Sequence, residues 1–191
     1  TLRAEMEDGT IIDGETSIAS QTDKKINEIR LIPGDVHPLQ EALDAIRLAN
    51  AIIIGPGSVY TSIVPNLLVK GIAETLAASP AVKIYVCNVM TQPGESDGFT
   101  AYDHVKALEH HGGKKLFNYV LVNKEVPSLR LLEKYHRGKA ELVIPDVDAI
   151  RDAGYKPITG NFISQTDVVR HDPEKLAQAI LRLVFEKSFL P

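Results

Sequence analysis

The run Ala51-Ile52-Ile53-Ile54 stops at Gly55-Pro56-Gly57 and gives way to Ser58-Val59-Tyr60-Thr61-Ser62. Branched apolar residues without polar alternation are what a strand buried on both faces needs, and such strands belong to parallel sheets covered by helices. The sequel Ile63-Val64-Pro65-Asn66-Leu67-Leu68-Val69 reads as helix. A strand, a tight glycine loop and a helix in this order place a ligand at the carboxyl edge of an open α/β sheet. Glycine lets the backbone approach the ligand, and the helix start presents N–H groups and its positive dipole end to an anion. The hydroxyls of Ser58, Thr61 and Ser62 lie at the same edge. The pattern is neither a dinucleotide fingerprint nor a Walker loop, and the same residues also serve simply to turn the chain and cap a helix.

The rest of the chain is consistent with that frame. Leu2 to Met6, Thr10 to Ile12, the neighbourhood of Ile18 and Ile26 to Ile32 read as short extended pieces, with Asp8-Gly9 as a turn, giving a small antiparallel ribbon near the N-terminus. Strand and helix then alternate. Helices are predicted over Pro38 to Ala49, Asn66 to Ala78, from Thr100 or Asp103 to Gly112, Pro127 to His136, Asp146 to Ala153 and Lys175 to Phe185. Strands are predicted at Ile52 to Ile54, Val82 to Cys87, Phe117 to Val122, Glu141 to Val143 and Tyr155 to Ile158, with Phe162 and Ile163 as a further edge. Alternation of this kind implies a mostly parallel sheet covered on both faces.

Composition narrows the function. With 44% hydrophobic residues in 191, one α/β domain with a real core is expected. A net charge of -4 excludes a general polyanion or nucleic-acid binder, so any anion site is local. Cys87 is the single cysteine, which excludes an internal disulfide and fits a cytoplasmic protein. No apolar run reaches the roughly 18–20 residues of a membrane span. The opening residues already resemble mid-domain structure, so a preceding part of the natural polypeptide is expected to be missing.

Several polar clusters are candidates for chemistry. After the second buried strand, Asn88, Thr91, Gln92 and Glu95 offer donors and acceptors beside glycines, suiting a polar ligand. Asp103-His104 at a helix start suits either orientation of an imidazole, a water or a metal, or a cap with a surface histidine. His110-His111 has the look of a metal pair, but the helix C-terminal dipole favours histidine there anyway. Cys87 reads as packed. Arg170, just before Asp172-Pro173-Glu174 and the last helix, suits an anion contact or a surface ion pair.

Taken together, Gly55-Pro56-Gly57-Ser58-Val59-Tyr60-Thr61-Ser62, Pro65-Asn66-Leu67-Leu68-Val69, Tyr85 to Glu95, Asp103-His104 and Val169-Arg170-His171-Asp172 resemble the YvcK-like gluconeogenesis factors of the CofD-like superfamily. The resemblance runs from near Leu2 to the last helix. It implies a Rossmann-like three-layer α/β sandwich, of which residues 1–191 are the C-terminal portion of a single domain, without the glycine-rich start. It implies a cytoplasmic, homo-oligomeric factor that binds a nucleotide, as a UDP-sugar or NAD-like ligand, and links gluconeogenic carbon metabolism to cell-envelope growth and cell shape. Carried onto this chain, Gly57, Ser58, Tyr60 and Thr61 line the phosphate side, and Gly55, Ser62 and Asn66 are further ligand-binding positions. Asn88, Thr91 and Gln92 form the polar wall, and Arg170 the far anion contact. Val59 and Ser96 stand where the family often has leucine and threonine. The alternative implied by the same superfamily is a phospholactyl transferase, for which Asp103 and His104 are the catalytic candidates and Mg²⁺ the cation; no metal-binding set is nominated.

Overall fold

In the computed structural model, residues 1–21, 23–113 and 116–188 are described. Strands β1 (Leu2–Met6), β2 (Ile11–Asp13) and β3 (Ile26–Leu31) form an antiparallel sheet in the order β2-β1-β3. Alternation along β1 buries Leu2, Ala4 and Met6, and Ala4 lies opposite Ile12 on one side and Ile29 on the other. The segment around Ile18, expected to be extended, is instead a short helix, α1 (Glu15–Ala19). Gly14, at φ 93°, turns the chain out of β2, and the fully buried Ile18 anchors the helix beneath the ribbon.

Helix α2 (Gln40–Leu48) leads into β4 (Ala51–Ile54), which begins the main sheet. Strands β5 (Val82–Val86), β6 (Tyr119–Asn123) and β7 (Lys156–Gly160) follow, all parallel, in the order β4-β5-β6-β7. The connecting helices are α3 (Val64–Leu67), α4 (Ile72–Ala78), α5 (Ala101–Gly112), α6 (Leu129–Arg137) and α7 (Val147–Asp152). A hairpin of β8 (Ile163–Gln165) and β9 (Val169–His171) then precedes α8 (Pro173–Ser188).

Period-2 alternation gives the sheet two apolar faces. Ile84, Tyr119 and Leu121 pack with Phe162 and with Leu183 of α8. Tyr85, Cys87, Val120 and Val122 face the other way, onto Val105, Leu108 and Ile150. Helices on both faces of a parallel sheet define an α/β fold, with the antiparallel ribbon beside it.

Three local expectations differ. The helix expected over Asn66 to Ala78 is broken, because Gly71 takes a left-handed φ of 87° and the Lys70 N–H is drawn to the Val36 carbonyl at 3.0 Å. Its entry is a π-helical turn, Val59–Ile63, in which the N–H groups of both Ser62 and Ile63 donate to the Ser58 carbonyl. Glu141 to Val143 makes only an isolated bridge, Leu142 with Met90, and Ile163 pairs in the hairpin rather than at the edge of the main sheet.

Candidate functional site

Because β4 and β5 are parallel neighbours, the loops that leave them open at one edge of the sheet. Gly55, at φ 77°, makes the turn; a Cβ there would stand 3.1 Å from the Val86 carbonyl and 3.2 Å from Ile63 Cδ1. The two loops are laced together. Asn88 Nδ2 donates to the Gly57 carbonyl at 2.9 Å, and Ser58 Oγ donates to Gln92 Oε1 at 2.6 Å.

Glu95 is the hub of this lacing. Its Oε2 accepts the N–H groups of Tyr60 and Thr61, each at 3.3 Å. Its Oε1 accepts from Thr61 Oγ1 at 2.7 Å and Gln92 Nε2 at 3.2 Å. The carboxylate is buried, and burial raises its pKa above the usual range while the bonds from Thr61 and Tyr60 oppose that shift. The first donors of the π-helical turn, which the sequence offers to a ligand anion, thus hold the protein's own carboxylate. Farther out, no acceptor among the described residues faces the N–H groups of Gly57, Ser58 and Val59.

The other nominated residues divide in the same way. Ser62 closes the π turn through its N–H, and its carbonyl accepts from Asn66 Nδ2 at 2.7 Å. The buried Thr91 hydroxyl accepts the Glu141 N–H at 2.8 Å, fastening the loop to residues 140–143. Tyr60 is buried, its ring edge-on to Phe99 and His111. Arg170 is exposed on β9, on the opposite face from His171, whose Nε2 lies 3.2 Å from the Cys87 carbonyl. It has no carboxylate within ion-pair distance among the described residues.

Asp103 and His104 lie at the start of α5, where Asp103 lines a cavity together with Tyr60 and Glu95. Asp103 completes a capping box with Thr100 and pairs with Lys106 at 2.7 Å; burial works against its ionisation, but those bonds keep its pKa below the usual value. His104 is fully buried rather than at the surface, with Nδ1 against the Thr100 carbonyl at 2.8 Å, and burial lowers its pKa. Cys87 is buried and its thiol is pushed up to about 12, mainly by burial, which leaves it unreactive. Among the described residues no group of three His, Cys, Asp or Glu side chains could hold a metal ion. Asn123, not singled out by sequence, ends β6 at this edge, where its Oδ1 accepts the Phe162 N–H at 3.1 Å.

The glycine loop, the polar second loop and the parallel sheet that aligns them are features of a defined class. The chain belongs to the CofD family: the profile described as 2-phospho-L-lactate transferase CofD matches residues 1–163. It is 49% identical over 181 residues to the gluconeogenesis factor of Halalkalibacterium halodurans, covering 94% of this chain and 56% of that protein. With the gluconeogenesis factor of Bacillus subtilis it shares 44% identity over 186 residues, 97% of this chain and 58% of that one. A crystal structure of a UPF0052-family protein from Bacillus halodurans superposes with a TM-score of 0.91 at 48% identity, over 94% of this chain and 58% of that chain. The chain thus spans less than two thirds of these relatives.

Proposed function

We propose that the chain forms part of a regulatory factor that binds a nucleotide or nucleotide-sugar across the Gly55 and Asn88 loops. The observation that carries this reading is the set of N–H groups at Gly57, Ser58 and Val59 that have no acceptor among the described residues, in a loop fixed by the Asn88, Gln92 and Glu95 bonds. Backbone N–H groups fixed in a glycine loop are suited to a phosphate. Arg170, exposed and without a carboxylate partner, supplies a charge that a phosphorylated ligand can recruit. In this reading Gly57, Ser58 and Val59 contact the ligand through backbone, whereas the side chains of Ser58, Thr61, Asn88 and Gln92 shape the loop.

The names of the relatives support a role in gluconeogenic carbon metabolism. We extend this to coordination of that metabolism with cell-envelope growth and cell shape, in the cytoplasm. A transferase in the CofD sense, with Mg²⁺, is the second reading, supported by the family profile. For that reaction Asp103 and His104 are poorly placed, since one is committed to a cap and the other is sealed in the core.

Calorimetric titration with UDP-sugars, NAD and simple nucleotides, with and without Mg²⁺, tests the reading. Saturable binding without product is expected, and Arg170→Ala should weaken it about tenfold, as for a lost charged hydrogen bond. Unchanged affinity in that variant removes Arg170 from the site; cation-dependent product formation favours the transferase.

A further inference from the structure

Behind the Gly55 loop, a cavity of about 510 Å³ opens between the end of β1, the approach to β3, the Gly94 to Phe99 segment and α5. Its volume is in the range of small-molecule sites. Tyr60, only 6% exposed, forms the floor. Its ring is pinned by Phe99 and His111 and lines the cavity, and its hydroxyl makes no hydrogen bond among the described residues.

The charges around it are ordered. Burial most of all, then Glu7, Glu95 and Asp103, push the Tyr60 hydroxyl up to about 12, so it stays protonated. At the rim stand Lys24 and Lys106, paired with Asp8 at 3.0 Å and Asp103 at 2.7 Å. Lys25 and Glu7 also line the rim, joined through backbone at 2.9 Å; both are exposed, and neither side chain has an ion-pair partner among the described residues. Carboxylates around the floor oppose a phosphate there, the charged walls oppose an apolar ligand, and no three-ligand metal set is present among the described residues. What remains is a dipolar molecule whose cation meets a carboxylate and the Tyr60 hydroxyl and whose anion meets a lysine.

We propose that this cavity binds a free α-amino acid, its ammonium on the Tyr60 hydroxyl oxygen and the Glu7 carboxylate and its carboxylate on Lys25. The site is separate from the N–H groups of the sheet edge and does not rest on nucleotide binding there. It touches the same loop, because Tyr60 is the residue whose N–H donates to Glu95.

The test is titration of alanine, serine, lysine and glutamate by saturation-transfer NMR and calorimetry, against this chain and its Tyr60→Phe and Lys25→Met variants. Saturable binding of at least one is expected, lost on N-acetylation and weakened about tenfold in Tyr60→Phe, which removes only the hydroxyl. Lys25→Met, at an exposed position, should weaken alanine but leave ethylamine unaffected. Absence of saturable binding by all four, equal binding of the N-acetylated form, or equal affinity in both variants overturns the proposal. So does preferential binding of glucose or putrescine, which would make the ligand neutral or dicationic.

Discussion

Glu95 carries four hydrogen bonds from the Gly55 loop and its own loop, with no ion-pair partner among the described residues. Removing it leaves buried N–H and O–H donors without an acceptor, so Glu95→Ala should cost about 3 kcal/mol in urea denaturation. A loss below about 0.5 kcal/mol, the size of an ordinary surface change, would contradict its place as hub. His111 is constrained in another way. The Ile29 N–H donates to its Nε2 at 3.0 Å and Nδ1 faces the Ala107 carbonyl at 2.8 Å, so only the neutral, Nδ1-protonated ring satisfies both. Burial first, and His110 with it, lowers the His111 pKa against the pull of Ala107 and Glu28. The unfolded chain therefore takes up the proton first as pH falls. Stability from His111 is fully present above about pH 6.5 and is lost as pH drops through the lowered folded value, by at most about 1.4 kcal/mol per unit. His104 and His171 shift the same way, so the measurement is the difference between wild type and His111→Phe across pH 5–8; parallel profiles would contradict the assignment.

At the scale of elements, two left-handed glycines have different consequences. Gly94, at φ 83°, would place a Cβ 2.6 Å from the Gln21 carbonyl oxygen and 2.9 Å from that of Ala19, whereas Gly71, at φ 87°, faces open space. Gly94→Ala is expected to cost at least about 3 kcal/mol and Gly71→Ala about 1 kcal/mol, by thermal or urea unfolding. Equal costs would mean that the Gly94 loop is not seated against α1. Strand β4, expected to be buried on both faces, is an edge strand with Ile53 exposed, and α2 follows its apolar spacing without burying a residue. The strands β5 and β6 and the helices α5 and α8 were legible because their apolar spacing is set locally by burial. The break at Gly71 was not: Ile72 and Leu76 continue the helical spacing of Leu67 and Leu68, and a long-range bond from Lys70 to Val36 decides the matter. In the candidate site the residue types were readable and their pairing was not. Ser58 and Gln92, like Thr61 and Glu95, are 34 residues apart and meet only once β4 and β5 are side by side.

For the whole molecule, the two-faced core holds the β4 and β5 loops in register at the carboxyl edge of the sheet. The main sheet ends at β4, where Ile53 is 41% exposed, and no residue of α2 is buried. No helix among the described residues is long and apolar enough to cross a membrane. The central claim, that a nucleotide phosphate rests on backbone N–H groups of the Gly55 loop, is tested most directly by an amide-resolved NMR titration with a UDP-sugar. The account predicts the largest saturable shifts at the N–H groups of Gly57, Ser58 and Val59. Saturable binding that leaves those three amides unmoved would contradict it.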